Sequence, residues 1–146
     1  MRVLIVEDHE PTATAFCRLI SKKMPNIQCI IAKSLSAGLL EATTTRADIT
    51  LLDLILPKND GDTEKMPLKE VIQSIRLFPR PVIVITGLAD PDGSIAAECF
   101  KYGCQNFLDK ASLSGLISTM TSAYLRDVMP KQLEKEQANV IGASRT

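Results

Sequence analysis

At 146 residues, 45% apolar and 23% charged, the chain is composed like one globular domain with a core of its own. Lys plus Arg and Asp plus Glu both number 17, so no net basic field favours nucleic acid or an anionic membrane as a primary partner. No apolar run approaches the roughly 20 residues of a membrane-spanning helix, and no basic stretch leading into an apolar one marks a signal peptide.

The first expected strand is Val3 to Glu7, an apolar run too short for a helix and rich in branched residues. Pro11 suits the first turn of a helix, with Ala13, Phe16, Cys17, Ile20 and Met24 on its apolar face and Pro25-Asn26 as its stop. Ile27 to Ala32 is the second strand. Ser34 suits the cap of a helix running to about Arg46. Ile49 to Leu54, almost wholly apolar, reads as a strand buried on both faces of a parallel sheet.

A turn at Pro57 to Gly61 leads to a helix opened by Pro67, with Leu68, Val71, Ile72 and Ile75 on one face. Pro81 to Ile85 is the fourth strand. After a loop from Gly87 to Gly93, Ile95, Ala96, Cys99 and Phe100 form the expected inner stripe of the fourth helix, and Gly103 suits the left-handed position behind it. Cys104 to Asp109, the least apolar strand, is expected at an edge. Ser112 suits the cap of the last helix, with Leu113, Leu116, Ile117, Met120 and Tyr124 inward and Met129-Pro130 as its break. Residues 131–146 are polar and read either as a short extra helix around 132–140 or as a disordered tail. Cys17, Cys29, Cys99 and Cys104 match no zinc or redox spacing and read as free thiols, as in a reducing cytosol.

Five strand–helix alternations imply an α/β fold with right-handed crossovers and helices on both faces of a parallel sheet. Ligands in such folds bind at the carboxyl ends of the strands, at the switch point. Glu7-Asp8, Asp53, Thr86 and Lys110 each stand where an expected strand ends. Taken singly, Glu7-Asp8 or Asp53 reads equally as a solvated loop motif, and neither Thr86 at a strand end nor Lys110 after a strand needs a special cause. Taken together they suggest a site for magnesium and a phosphoryl group. Crowded carboxylates call for a cation, and magnesium commonly bridges carboxylates to phosphate. Asp53 is the candidate nucleophile and Glu7 and Asp8 the metal ligands. Lys110 is a point charge for a phosphoryl oxygen, and the Thr86 hydroxyl is a donor to another. His9, the single histidine, reads as a loop residue near the mouth.

The residues Met1 to Asp8, Asp53-Leu-Ile-Leu-Pro57 with Asp60-Gly61, Pro81 to Gly87, and Gly103 to Lys110 resemble the receiver domain of the two-component response regulators, over about residues 1–127. The chain is also similar to single-domain, chemotaxis-type regulators. The resemblance implies a flavodoxin-like (βα)5 sheet of order 2-1-3-4-5 and a cytoplasmic phosphoacceptor. Its Asp53 would take a phosphoryl group from a histidine kinase or phosphotransfer protein. It further implies Mg2+ held by Glu7, Asp8, Asp53 and the Ile55 carbonyl. Thr86 and Phe107 would act as switch residues, Phe107 reading equally as a core phenylalanine, and the face of the fourth helix, fifth strand and fifth helix would bind a downstream protein or a second copy. The chain would not be an enzyme, having at most self-phosphorylation and autodephosphorylation activity. Residues 128–146 would be an extension or linker with no separate domain and no room for a helix-turn-helix. The chain would then be either stand-alone or the receiver part of a longer regulator.

Three departures from the family pattern stand out. Ala111 replaces the proline that usually follows the lysine after a cis peptide, so that peptide is either cis, at about 3 kcal/mol, or trans with the loop rebuilt. Residues 60–66 and 89–93 lengthen two loops beside the site. Ile55 and Leu88, both apolar, occupy the positions that most influence phosphate loss, which implies a slowly hydrolysed phospho-form. Two rivals are a pseudo-receiver that only binds and a haloacid-dehalogenase-like phosphatase. The latter wants a second aspartate where Ile55 stands.

Overall fold

The most apolar strand ends up in the middle of the molecule. In the computed structural model, which describes residues 1–112 and 114–144, β3 (Ile49–Leu52) has all four residues buried. β1 (Arg2–Val6) pairs in parallel with β3 on one side and β2 (Gln28–Ala32) on the other. β4 (Val82–Thr86) and β5 (Asn106–Asp109) complete a parallel sheet of order β2-β1-β3-β4-β5. The flavodoxin-like topology is therefore present. The chain reverses direction of winding between β1 and β3, and β5 lies at an edge as its weaker apolar character suggested.

Strand alternation divides the core. Leu4, Val6, Leu52, Val82 and Val84 pack with Leu35, Val71, Ile75 and Cys99, from α2 (Leu35–Thr44), α3 (Leu68–Ser74, ending in a 3-10 turn at Ile75–Leu77) and α4 (Ser94–Lys101). Val3, Ile5, Leu51, Ile83 and Ile85 pack on the other face with Ala13, Phe16 and Ile20 of α1 (Glu10–Lys23) and Leu116, Met120 and Ala123 of α5 (Ser114–Ala123). Pro11 lies in the first turn of α1, and the Ser34 side chain accepts from Ala37 N–H at 3.1 Å to cap α2. Gly38 lets α2 ride close to the sheet: a Cβ there would stand 2.9 Å from both γ-carbons of Val6.

Element ends shift by one or two residues. β3 stops at Leu52 rather than Leu54, α2 at Thr44 rather than Arg46, and β2 and β4 begin one residue late. Phe100 does not face inward. It is 49% exposed, and the packed stripe of α4 is Ile95, Cys99 and, just beyond the helix, Tyr102, which share one face at helical spacing. Gly103 has the expected positive φ of 108°. The expected inward placement of Leu113 lies outside the described residues. All four cysteines are free thiols; burial pushes Cys99 up to about 12 and Cys104 to about 11.

Met129-Pro130 does not break the last helix. α5 runs through a π-turn at Tyr124–Val128 into α6 (Met129–Ser144), where a shorter helix or a disordered tail was expected. Met129 N–H donates to the Tyr124 carbonyl, five residues back. A proline inside a regular helix clashes with the carbonyl four residues earlier and leaves it unpaired; the wider turn just ahead of Pro130 relieves this. The wider turn also places Val128, 3% exposed, in line with Met120 and Ala123, where regular spacing would have brought Asp127. No helix among the described residues is long and apolar enough to cross a membrane.

Candidate functional site

Backbone bonds carry the parallel sheet one step past its strands and fix the site. Glu7 N–H donates to the Ala32 carbonyl at 2.9 Å, Asp53 N–H to Val6 at 3.0 Å and Lys110 N–H to Thr86 at 3.0 Å. The residues after β1, β3 and β5 are thereby held side by side. One carboxylate oxygen from each of Glu7, Asp8 and Asp53 lies within 4.8 Å of the others. Glu7 is 1% exposed and Asp53 4%, while the Asp8 side chain, at 25%, faces the mouth.

Lys110 is the inner cation. Its Nζ stands 3.0 Å from Asp53 Oδ2 and 2.5 Å from Glu7 Oε1. The only cis peptide among the described residues is Arg80–Pro81, so Lys110–Ala111 is trans and the lysine still reaches Asp53. Burial alone would lower the Lys110 pKa, but the nearby Glu7 and Asp53 carboxylates outweigh it and hold the ammonium above its ordinary value. Burial pushes the Glu7 carboxyl up from 4.5 to about 7, and neighbouring Asp53 adds to the rise while Lys110 opposes it.

Neither Glu7 oxygen accepts a hydrogen bond, although Lys110 Nζ stands against Oε1 as an ion-pair partner. Orphaned buried carboxylate oxygens are costly. Three convergent carboxylates, with the Glu7 oxygens lacking a hydrogen bond, fit a hard divalent cation such as Mg2+. Ile55 N–H donates to Asp53 Oδ1 at 3.3 Å, which brings the Ile55 backbone beside the same carboxylate.

The outer residues are tied differently. Thr86 is buried, and its hydroxyl oxygen accepts from Leu88 N–H at 3.2 Å. Phe107 is half-buried on β5 and packs on the α4 side of the sheet. His9 Nδ1 pairs with Thr12 Oγ1 at 2.6 Å at the start of α1, away from the carboxylates' bonding network.

A model of the response regulator receiver domain matches residues 3–121. The chain belongs to the response regulator receiver domain family. The KDP operon transcriptional regulatory protein KdpE of Escherichia coli is 35% identical over 109 residues, 74% of this chain and 44% of that protein. The protein-glutamate methylesterase/protein-glutamine glutaminase 2 of Methanosarcina acetivorans is 24% identical over 141 residues, 96% of this chain and 37% of the relative. This receiver domain thus spans about two fifths of the length of the curated relatives it matches. Among solved structures, a signal receiver domain from Vibrio parahaemolyticus superposes with a TM-score of 0.73 at 20% identity, over 91% of this chain and 96% of that one. The Francisella response regulator 1452 receiver domain gives 0.64 at 24%, over 86% and 97%. Both likenesses concern the fold.

Two residues of this receiver domain escaped the sequence reading. Lys65, in the lengthened loop, forms an ion pair with Asp8, 57 residues away. A lysine in a polar loop carries no signal of that contact. Asp90 accepts at both oxygens, from Ile95 N–H at 3.0 Å and Ala96 N–H at 2.9 Å, and so caps α4 from within the other lengthened loop. An aspartate just before a helix was a visible sign, hidden by the run Asp90-Pro-Asp-Gly-Ser94, which offers two aspartates.

Proposed function

We propose that this receiver domain is a phosphoacceptor switch in which Asp53 takes a phosphoryl group from a phosphohistidine on a histidine kinase or phosphotransfer protein. The observation that carries the reading is the setting of Asp53: nearly buried at the end of β3, grouped with Glu7 and Asp8, and 3.0 Å from Lys110 Nζ. One Asp53 oxygen attacks phosphorus, the phosphorus–nitrogen bond breaks, and its electron pair returns to the donor imidazole. Such transfer depends mainly on positioning and charge stabilisation.

Glu7, Asp8, Asp53 and the Ile55 carbonyl would hold Mg2+, which when bound offsets charge on the phosphoryl oxygens. Lys110, already at Asp53, would pair with one of those oxygens. The bond from Leu88 uses a lone pair of the Thr86 hydroxyl and leaves its proton free to donate to another. Moving Thr86 would pull on Leu88 and the loop that Asp90 ties to α4. With Phe107 turning inward, the surface of α4, β5 and α5 would change and bind a downstream protein or a second copy. Exposed Phe100 lies on α4 in that region. The reading implies a cytoplasmic protein with no activity beyond self-phosphorylation and autodephosphorylation.

Intact mass after incubation with Mg2+ and acetyl phosphate tests it. The protein should gain one phosphoryl group and Asp53→Asn none. No gain, also with a cognate kinase, favours a binding-only pseudo-receiver; steady phosphate release from phosphoesters favours a phosphatase.

A further inference from the structure

The lengthened loop after β3 is a pinned hairpin. Pro57 and Lys65 form an antiparallel bridge, and Met66 N–H donates to the Leu56 carbonyl at 2.8 Å. Leu35 and Ser36, at the start of α2, donate to the carbonyls of Pro57 at 3.0 Å and Lys58 at 2.9 Å. At the tip, Asn59 N–H bonds Asp62 Oδ2 at 3.1 Å, and Gly61 takes the positive φ of 84° that a tight turn requires. A backbone so held fixes where Lys65 starts. Its side chain reaches the mouth of the acidic group, and Nζ pairs with Asp8 Oδ2. Lys110, by contrast, serves the two inner carboxylates and forms no ion pair with Asp8.

We propose that Lys65 is a built-in counter-ion of the metal site, occupying Asp8 in the metal-free protein and leaving it when a divalent cation binds. The inference rests on reading Glu7, Asp8 and Asp53 as metal ligands. One ammonium on Asp8 meets the same electrostatic demand as part of the cation's charge, so the two compete. The Lys65 side chain is 42% exposed, so the displaced ammonium swings into water at small cost while the hairpin stays in place. The lengthened loop thereby sets how much divalent cation the site needs.

Mn2+ titration followed by the electron paramagnetic resonance of the free ion tests this. Lys65→Met should bind about three- to fivefold more tightly than wild type, the scale of one partly exposed ion pair. Lys58→Met removes the same charge from the same hairpin and should change affinity less than twofold. Equal affinity in Lys65→Met and wild type, weaker binding, or an equal gain in Lys58→Met overturns the proposal. A second measurement needs no variant: amine acetylation of wild type at Lys65, read by peptide mass against Lys58, should rise with saturating Mg2+, and unchanged labelling counts against displacement. Absence of Mn2+ binding in every protein defeats the metal reading itself, and this proposal with it; binding that is indifferent to Lys65 defeats only the latter.

Discussion

Lys110 and Asp53 meet at 3.0 Å although alanine follows the lysine and the intervening peptide is trans. The lysine's reach comes from the bond of its own N–H to the Thr86 carbonyl, which extends the β4–β5 ladder by one residue. Proline after the lysine is therefore dispensable for placing this ammonium.

Lys110→Met removes the cation shared by two buried carboxylates. Metal-free protein should lose about 1–3 kcal/mol of stability at pH 8 in urea unfolding, and the rate of phosphoryl uptake should fall by about tenfold or more. Unchanged uptake would show that the ion pair is structural only.

The Glu7 carboxyl gives the metal-free protein a pH-dependent stability. Its pKa in the fold, about 7, lies above its ordinary 4.5, so the fold prefers the neutral form. The stabilisation linked to it is complete below about 4.5 and is lost as the pH rises through about 7. The melting temperature should therefore fall between pH 5 and pH 8, and Glu7→Gln should flatten that slope. Lys110, held above its ordinary value, stays charged throughout this window and adds no slope there. For the same reason, divalent-cation affinity should rise from pH 6 to pH 8, since the cation competes with the Glu7 proton. A Glu7→Gln variant with the wild-type slope would assign it to other groups.

Ile55 and Leu88 flank the site with apolar side chains that cannot orient an attacking water. The phosphorylated protein should decay slowly, and polar residues at both positions should speed the decay by about tenfold or more. Phosphate release after removal of the donor measures this; equal decay times would dismiss the two positions.

Gly38→Ala should destabilise the fold despite alanine's better helix propensity. The added Cβ would stand 2.9 Å from both Val6 γ-carbons, on a buried β-branched side chain with little freedom to move. Overpacking of this kind costs about 1–3 kcal/mol, against a propensity gain of about 1 kcal/mol. Thermal unfolding should show a lower midpoint, and Val6→Ala in the same chain should recover part of it. A raised midpoint would mean that α2 retreats freely from the sheet.

The sheet was legible because parallel strands buried on both faces leave continuous apolar runs, and β3 is the clearest. The gathering of Glu7, Asp8 and Asp53 followed from strand ends and the switch point alone. Phe100 misled because two stripes one residue apart fit so short a helix, and only packing against Cys99 and Tyr102 decides between them. Lys65 was invisible, since its partner is set by a hairpin whose pairing depends on the folded β3 and α2. Pro130 was read by the rule for regular helices, and the π-turn ahead of it suspends that rule.

That turn holds five residues where four would ordinarily pass, yet Ala123 just before it and Val128 at its end belong to one inward stripe. It is an insertion the helix has absorbed without changing phase. Each residue of a regular helix adds about 100° of rotation and 1.5 Å of rise. Straightening the turn with all five residues kept would spin α6 by about that angle and drive the Asp127 carboxylate toward the place of Val128. Deleting one residue instead would keep the phase but set Pro130 against a regular turn. The surplus residue and the proline thus hold each other in place, and together they fix the heading at which α6 leaves the body of the receiver domain.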